Sequence, residues 1–294
     1  MEIKIIVAYH KKAELIKSID FLPIHVGRSL TQDRFCIEDV IGDDTGENIS
    51  NKNNLYNEMT AVYYVWKNVD ASFYGLTHYR RQFLFDENAK KTYYSIKKVN
   101  DNFFKKIKYS HEKLNSLLEQ NDFIAPKPMK RKSVYEHYKN AHDVADLDYA
   151  IEVINDKFPE FSEATQEYVF GQNCYFYNMF IFDKETFNRY CEFVFGVLSL
   201  LEERFAGKRM FISERLTGIF ITQLIKEGKN GLFLPVVYLS EKDSLKNAIK
   251  GVKEELALRK KSKKKSLKSL IYAFRPLLIK ILPNFLINAY RNKK

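Results

Sequence analysis

An apolar, β-branched run, Ile3-Lys4-Ile5-Ile6-Val7-Ala8-Tyr9, begins almost at the first residue. It restricts the fold more than any other feature, because a strand apolar on both faces has to be covered on both. That is the position of a parallel strand sandwiched between helices. The rest of the chain continues the theme. Pro23–Val26 and Phe35–Ile41 give weaker strand signals, Ser72–Phe85 an aromatic one, and Asp122–Ala125 a short one closed by Pro126 and Pro128. Tyr175–Phe182 and Gly231–Leu239 are the last two.

Helical periods alternate with these strands. Leu55, Met59, Val62, Tyr63 and Trp66 fall on one face, with Asn48 or Ser50 placed to cap the helix. Residues 133–158 repeat the pattern through Val144, Leu147, Ile151 and Ile154, and 184–205 and 212–225 give two more helices. Residues 86–121 are polar and read as a helical excursion. Alternation of this kind predicts an α/β domain, a mainly parallel sheet flanked by helices. At 294 residues and 45% apolar content the chain has enough material for a substantial core. The aromatic share of 15% is high, and serves either as core filler or, for some tyrosines, as the lining of a sugar or nucleotide cleft.

The formal net charge of +11 is concentrated rather than spread. Twelve of the 48 Lys and Arg residues and none of the 37 acids lie from Ala257 onward, so residues 1–256 carry 36 bases against 37 acids. A near-neutral body argues against general nucleic-acid binding. The expected organisation is a catalytic domain over 1–256 and a basic amphipathic helical tail over 257–294. In that tail RKKSKKKSLK at 259–268 precedes Leu270, Ile271, Phe274, Leu277, Leu278, Ile281 and Leu282 at helical spacing. Pro276, Pro283, Arg275 and Lys280 interrupt any span, so the segment suits the plane of an anionic membrane surface better than its interior. A solvated tail, or a helix packed on the body, is the alternative. Three cysteines, Cys36, Cys174 and Cys191, form neither a CxxC pair nor a cluster with His, which speaks against a disulfide framework or a zinc site. The N-terminus lacks the apolar run of a signal peptide, so the expected location is the cytoplasm, peripheral on the inner face of the membrane.

Ligands of open α/β sheets bind beyond the carboxyl ends of the strands. His78-Tyr79-Arg80-Arg81 follows a strand signal and so falls at such an edge. Adjacent arginines are often a solvated pair; here their guanidinium forks are also placed to grip a diphosphate. The loop 43–53 offers Asp43, Asp44, Asn48, Ser50 and Asn53 ahead of a helix, either as a capped turn or as a phosphate and ribose site. Glu58 is a surface acid or a partner of Arg80 or Arg81. Glycine-rich dinucleotide and P-loop motifs, GxSxG and HExxH are all missing from the sequence. Asp146-Leu147-Asp148 is its one D-x-D, and a helical period makes it a polar helix face rather than a metal site.

Several blocks together resemble a known family: VAYHKK at 7–12, PIHVG at 23–27, DDTGENISNKNNLYNEMTAVYYVWKN at 43–68 and YGLTHYRRQF at 74–83. NMFIFDKETFNRYCEFVF at 178–195 and SERLTGIFI at 213–221 continue the match. The family is that of bacterial capsular and exopolysaccharide glycosyltransferases long catalogued as an uncharacterised domain, some of which are galactofuranosyltransferases. The resemblance implies a GT-A-like fold and an inverting transfer from a UDP-sugar, best matched by galactofuranose, to a lipid-linked oligosaccharide acceptor. It implies a donor site of Tyr9, His10, Asp44, Asn48, Ser50, Asn53, Glu58, His78 and Tyr79 beside Arg80 and Arg81. The acidic pair Asp43-Asp44, and Asn57 before Glu58, depart from the family pattern and leave donor choice open.

A departing nucleoside diphosphate needs its charge met, by a carboxylate-held cation or by the protein's own cations. Without a D-x-D after a strand, Arg80 and Arg81 are the expected agents and no cofactor is required, a divalent metal bound by carboxylates being the alternative. Glu214, at the head of a late helix, is the expected base, or else a partner for Arg215 or for the helix's first turn. Rival readings are a UDP-hexopyranose transferase, a non-catalytic membrane-peripheral binding protein, and nucleic-acid binding through the tail.

Overall fold

In the computed structural model, residues 1–31, 40–97, 99–205 and 211–239 are described. The chain order is β1 (Ile3–Tyr9), β2 (Phe21–His25), β3 (Ile41–Gly42), α1 (Asn53–Tyr56), α2 (Met59–Asn68), β4 (Phe73–His78), β5 (Arg81–Phe83) and β6 (Tyr93–Ile96). It continues with α3 (Phe103–Lys106), α4 (His111–Gln120), β7 (Phe123–Pro126), β8 (Met129–Lys130), α5 (Val134–Lys139), α6 (Val144–Lys157) and α7 (Ser162–Phe170). Then come β9 (Asn173–Cys174), β10 (Phe180–Asp183), α8 (Lys184–Leu201), α9 (Ser213–Lys226), β11 (Gly231–Leu234) and β12 (Val236–Leu239). All belong to one compact unit, Met1–Leu239. The tail, 257–294, and Cys36 lie outside the described residues.

The main sheet runs β11-β7-β10-β4-β1-β2-β3, and β5, β6 and β12 branch from it. Pairing is parallel between β1 and β2, β1 and β4, β2 and β3, and β7 and β11; only β10 runs against its neighbours along this path. β1 is central, as its doubly apolar sequence requires: Ile5, Ile6 and Val7 are fully buried. One face of the sheet packs on α2 and α5–α9 through Ile6, Val62, Phe180, Phe182, Tyr190 and Phe220. The other packs on α3, α4 and the β5–β6–β12 branch through Ile5, Val7, Phe83, Phe103, Leu117 and Val236. The result is the expected mainly parallel α/β sandwich.

Several elements differ from the sequence expectation for local reasons. The helix over 133–158 divides into α5 and α6, because the Asp143 carboxylate accepts the Ala145 amide at 3.1 Å and starts a second helix. The strand over 231–239 breaks at Pro235, which separates a pairing with β7 from pairings with β5 and β6. The helix from 53 is interrupted at Asn57 (φ 54°), and the strand over 175–182 begins only at Phe180, because Tyr177 (φ 82°) and Asn178 (φ 53°) are left-handed. No helix among the described residues is long and apolar enough to cross a membrane.

Candidate active site

β1, β2 and β4 run in the same direction, and their carboxyl ends gather Tyr9-His10-Lys11, Gly27-Arg28 and His78-Tyr79-Arg80-Arg81 at one edge of the sheet. α2 leads back into β4 and α9 into β11, so both helices begin at this edge. β10 contributes its start. Its register begins at Phe180↔Leu76, and the left-handed Tyr177 and Asn178 precede it.

His78 and Arg81 pair across β4 and β5, so Tyr79-Arg80 is a two-residue hairpin turn and not the end of a continuous strand. The turn is supported from below. Tyr79 is buried and stacks on Tyr9 at 5.5 Å, while the Arg80 guanidinium lies 5.4 Å from the Tyr79 ring. Lys11 approaches the same ring at 5.9 Å, and Arg81 lies 4.9 Å from the Tyr177 ring. Aromatic faces thus support the charged groups of Arg80, Arg81 and Lys11. Arg80, His10 and Lys11 are exposed and Arg81 partly so.

His78 is no cation in this company. Burial first, then the charges of Arg81 and Arg80, push its pKa down to about 2. Its Nδ1 accepts the Arg80 amide at 3.2 Å, which leaves the ring proton on Nε2. A neutral imidazole among guanidinium groups can donate one hydrogen bond without adding charge. His10 completes the cluster, its ring 5.5 Å from His78 and its Nε2 3.4 Å from the Tyr79 hydroxyl.

The loop 43–53 behaves differently. Asp43 is fully buried and accepts four hydrogen bonds: the Gly27 amide at 2.8 Å, the Arg28 amide at 3.1 Å, the Ser50 hydroxyl at 2.5 Å and the Thr60 hydroxyl at 2.6 Å. Gly27 is left-handed (φ 65°), and a Cβ there would stand 2.7 Å from the Asn53 side chain, so the close approach needs glycine. Asp44 is held by the Arg28 Nε at 2.5 Å. Asn48 caps its own turn through the Ser50 amide, and Asn53 donates to the Asn57 carbonyl at 2.6 Å and to Thr60. Asp43, Ser50 and Asn53 therefore clamp β2, β3 and α2 together. Tyr9 is likewise internal: its hydroxyl donates to the Glu14 carbonyl and accepts the Ile16 amide, and burial raises its pKa to about 12.

Two carboxylates stand at the edge. Glu214 Oε2 accepts the Tyr177 amide at 2.6 Å, and its Oε1 pairs with the buried Arg215, which also reaches His137 Nδ1 at 3.1 Å. Burial, then the Arg215 and Arg131 charges, lower His137 to about 4. Glu58 Oε1 accepts the Asn178 amide at 2.8 Å. Asn178 carries no sequence signal, being a single amide in the aromatic run YFYNMFIF. Asp146 pairs with Arg204 at 3.3 Å on the face of α6, well removed from a strand end. Among the described residues no three His, Cys, Asp or Glu side chains are grouped to hold a metal ion. A recess of about 270 Å³ bounded by Phe73, Leu118, Glu119, Gln120, Asn121, Asp122 and Asp183 lies at the opposite edge, where β4 starts and β10 ends.

Residues 4–226 match the family model described as "Domain of unknown function (DUF4422)". Among solved structures, the chain is similar to that titled as the apo structure of the WbbM bifunctional glycosyltransferase. The two share 29% sequence identity and superpose with a TM-score of 0.73 over 82% of this chain. The chain spans 46% of that protein's length. No curated protein matches significantly.

Proposed function

The chain belongs to the family described as a domain of unknown function (DUF4422), and from that premise we propose that it is a glycosyltransferase using a nucleoside-diphosphate sugar. The observation that carries the reading is the hairpin at 78–81, which presents Arg80 and Arg81 at the carboxyl edge beside Lys11 and His10, in a chain 29% identical to part of a glycosyltransferase. A diphosphate seated there meets charge-assisted donors at the moment its bond to the sugar breaks. The arginines take the place of a carboxylate-held cation, since Asp43 has its oxygens filled by four protein donors and Asp44 is paired to Arg28. His78 and His10 line the donor beside them.

The finer proposal is inverting transfer of galactofuranose from its UDP donor to a lipid-linked oligosaccharide in capsular, exopolysaccharide or O-antigen synthesis. It rests on the sequence blocks around 43–68 and 74–83. Residues 257–294 would hold the enzyme at an anionic inner leaflet, each nearby Lys or Arg contributing about 1 kcal/mol. Salt-sensitive sedimentation with anionic liposomes, lost on truncation after Glu255, tests that part.

The catalytic proposal is tested by UDP release from UDP-galactofuranose, UDP-galactopyranose, UDP-glucose and their N-acetyl forms. Turnover of the furanose donor supports the reading. Turnover confined to a pyranose moves the donor assignment and keeps the transferase. Silence with every donor favours a non-catalytic binding protein.

A further inference from the structure

Resting on the transferase reading, we propose that Glu58 is the base that takes the proton of the attacking acceptor hydroxyl, and that Asn178 is its positioning residue. A base needs an oxygen lone pair free to face the acceptor. In Glu214 both oxygens already take a protein donor, the Tyr177 amide on one and Arg215 on the other, so neither is left wholly open. Glu58 has one that is. Its Oε1 is fixed by the Asn178 amide, and no hydrogen bond or ion pair of its Oε2 is formed within the described residues. The side chain is partly exposed, at the start of α2 on the carboxyl edge.

The grip on Glu58 is built from buried groups. Asn178 is 3% exposed. Its Nδ2 bridges Glu58 and the Ser213 hydroxyl at 3.2 Å, and its Oδ1 accepts the Thr217 hydroxyl at 2.9 Å. Thr217 is bonded in turn to the buried Tyr190 hydroxyl at 2.8 Å. A carboxylate only accepts, so the Asn178 NH2 faces Glu58 and its Oδ1 faces Thr217. The consecutive left-handed residues Tyr177 and Asn178 make the arrangement possible: the Tyr177 backbone is held by Glu214 and the Asn178 side chain holds Glu58. Glu214 is thereby a strut, and Asn178 joins the head of α2 to the head of α9 through Glu58 and Ser213.

The step balances as follows. The acceptor oxygen bonds to the anomeric carbon using its lone pair, and its proton passes to Glu58 Oε2. The bond from the anomeric carbon to the diphosphate oxygen breaks, its electron pair leaving with the nucleoside diphosphate toward Arg80 and Arg81. Glu58 then returns the proton to solvent.

The test uses the UDP-sugar that the wild-type chain hydrolyses, with water as acceptor. Glu58→Gln keeps the oxygen that Asn178 binds and is expected to lower kcat by about 100-fold or more, the usual contribution of a positioned base. UDP affinity by calorimetry is expected to stay unchanged. Azide needs no deprotonation, so it is expected to restore UDP release by Glu58→Ala and to give a glycosyl azide of inverted configuration. Asn178→Ala is expected to lower kcat with KM unchanged. A Glu58→Gln variant as fast as wild type overturns the assignment, and so does a loss traced to UDP affinity or one that azide leaves unrepaired. A wild-type chain silent with every donor removes the transferase reading and this inference with it, whereas active wild type beside equally active Glu58→Gln removes the inference alone.

Discussion

The loop 43–53 and the turn 78–81 lie at the same sheet edge and carry similarly polar side chains, yet the fold treats them in opposite ways. In the loop, Asp43 collects two amides and two hydroxyls, and Ser50 and Asn53 bond back into the chain. In the turn, Arg80 and Arg81 rest on the faces of Tyr79 and Tyr177 with no carboxylate partner among the described residues. Buried polar groups have to be matched, and once matched they are scaffold. Cations held in place but left unpaired keep their binding energy for a ligand.

That contrast predicts opposite responses to mutation. Arg80→Ala and Arg81→Ala are each expected to cut UDP release about 100- to 1000-fold, the scale of losing one donor to a developing anion, with an unchanged denaturation midpoint. Asp43→Ala should do the reverse of sparing the fold: leaving its four donors unmatched costs about 3 kcal/mol or more, at about 1–3 kcal/mol per buried group. Urea unfolding followed by circular dichroism measures it. An Asp43→Ala protein as stable as wild type but unable to bind UDP would reverse the roles of the two regions.

Acid stability gives a smaller effect. His78 and His137 ordinarily titrate near 6.5 but are pushed down to about 2 and about 4 in the folded chain. Below 6.5 the unfolded chain takes up protons that the folded chain refuses, so stability is full above that pH and falls as pH drops toward 4. His78→Gln is expected to flatten the slope below pH 6.5, its own interval reaching down to about 2, in urea midpoints taken from pH 6.5 to 4. An unaltered slope would mean that His78 already protonates freely in the fold. The smallest effect is expected from chelation: with Asp43 filled, EDTA should change UDP release by no more than a few-fold. Complete loss with recovery on manganese would place a metal site among carboxylates at this edge.

The sequence made some of this legible and concealed the rest for physical reasons. The run Ile3–Tyr9 announces a central strand because burial on both faces leaves a local mark. His78-Tyr79-Arg80-Arg81 reads as an edge cluster because cations directly follow an apolar strand, although the hairpin return at Arg81 leaves no such mark. Whether a polar loop is scaffold or site depends on distant partners. Asp43 needs Gly27 and Thr60, and neither its burial nor its saturation is written in residues 43–53. Glu58 meets Asn178 across 120 positions, and Asn178 points to it only because its backbone is left-handed at the head of an aromatic strand.

On the proposed reading the turn at 78–81 seats the diphosphate, while the loop at 43–53 only supports it. Calorimetric titration of UDP into wild type and into the Arg80→Ala/Arg81→Ala double variant, at one salt concentration and with folding checked by thermal midpoint, tests it most directly. Loss of two charge-assisted contacts predicts UDP affinity lower by at least about 100-fold in the double variant, at about 1.5–3 kcal/mol per bond. Equal affinity in the two folded proteins would contradict it.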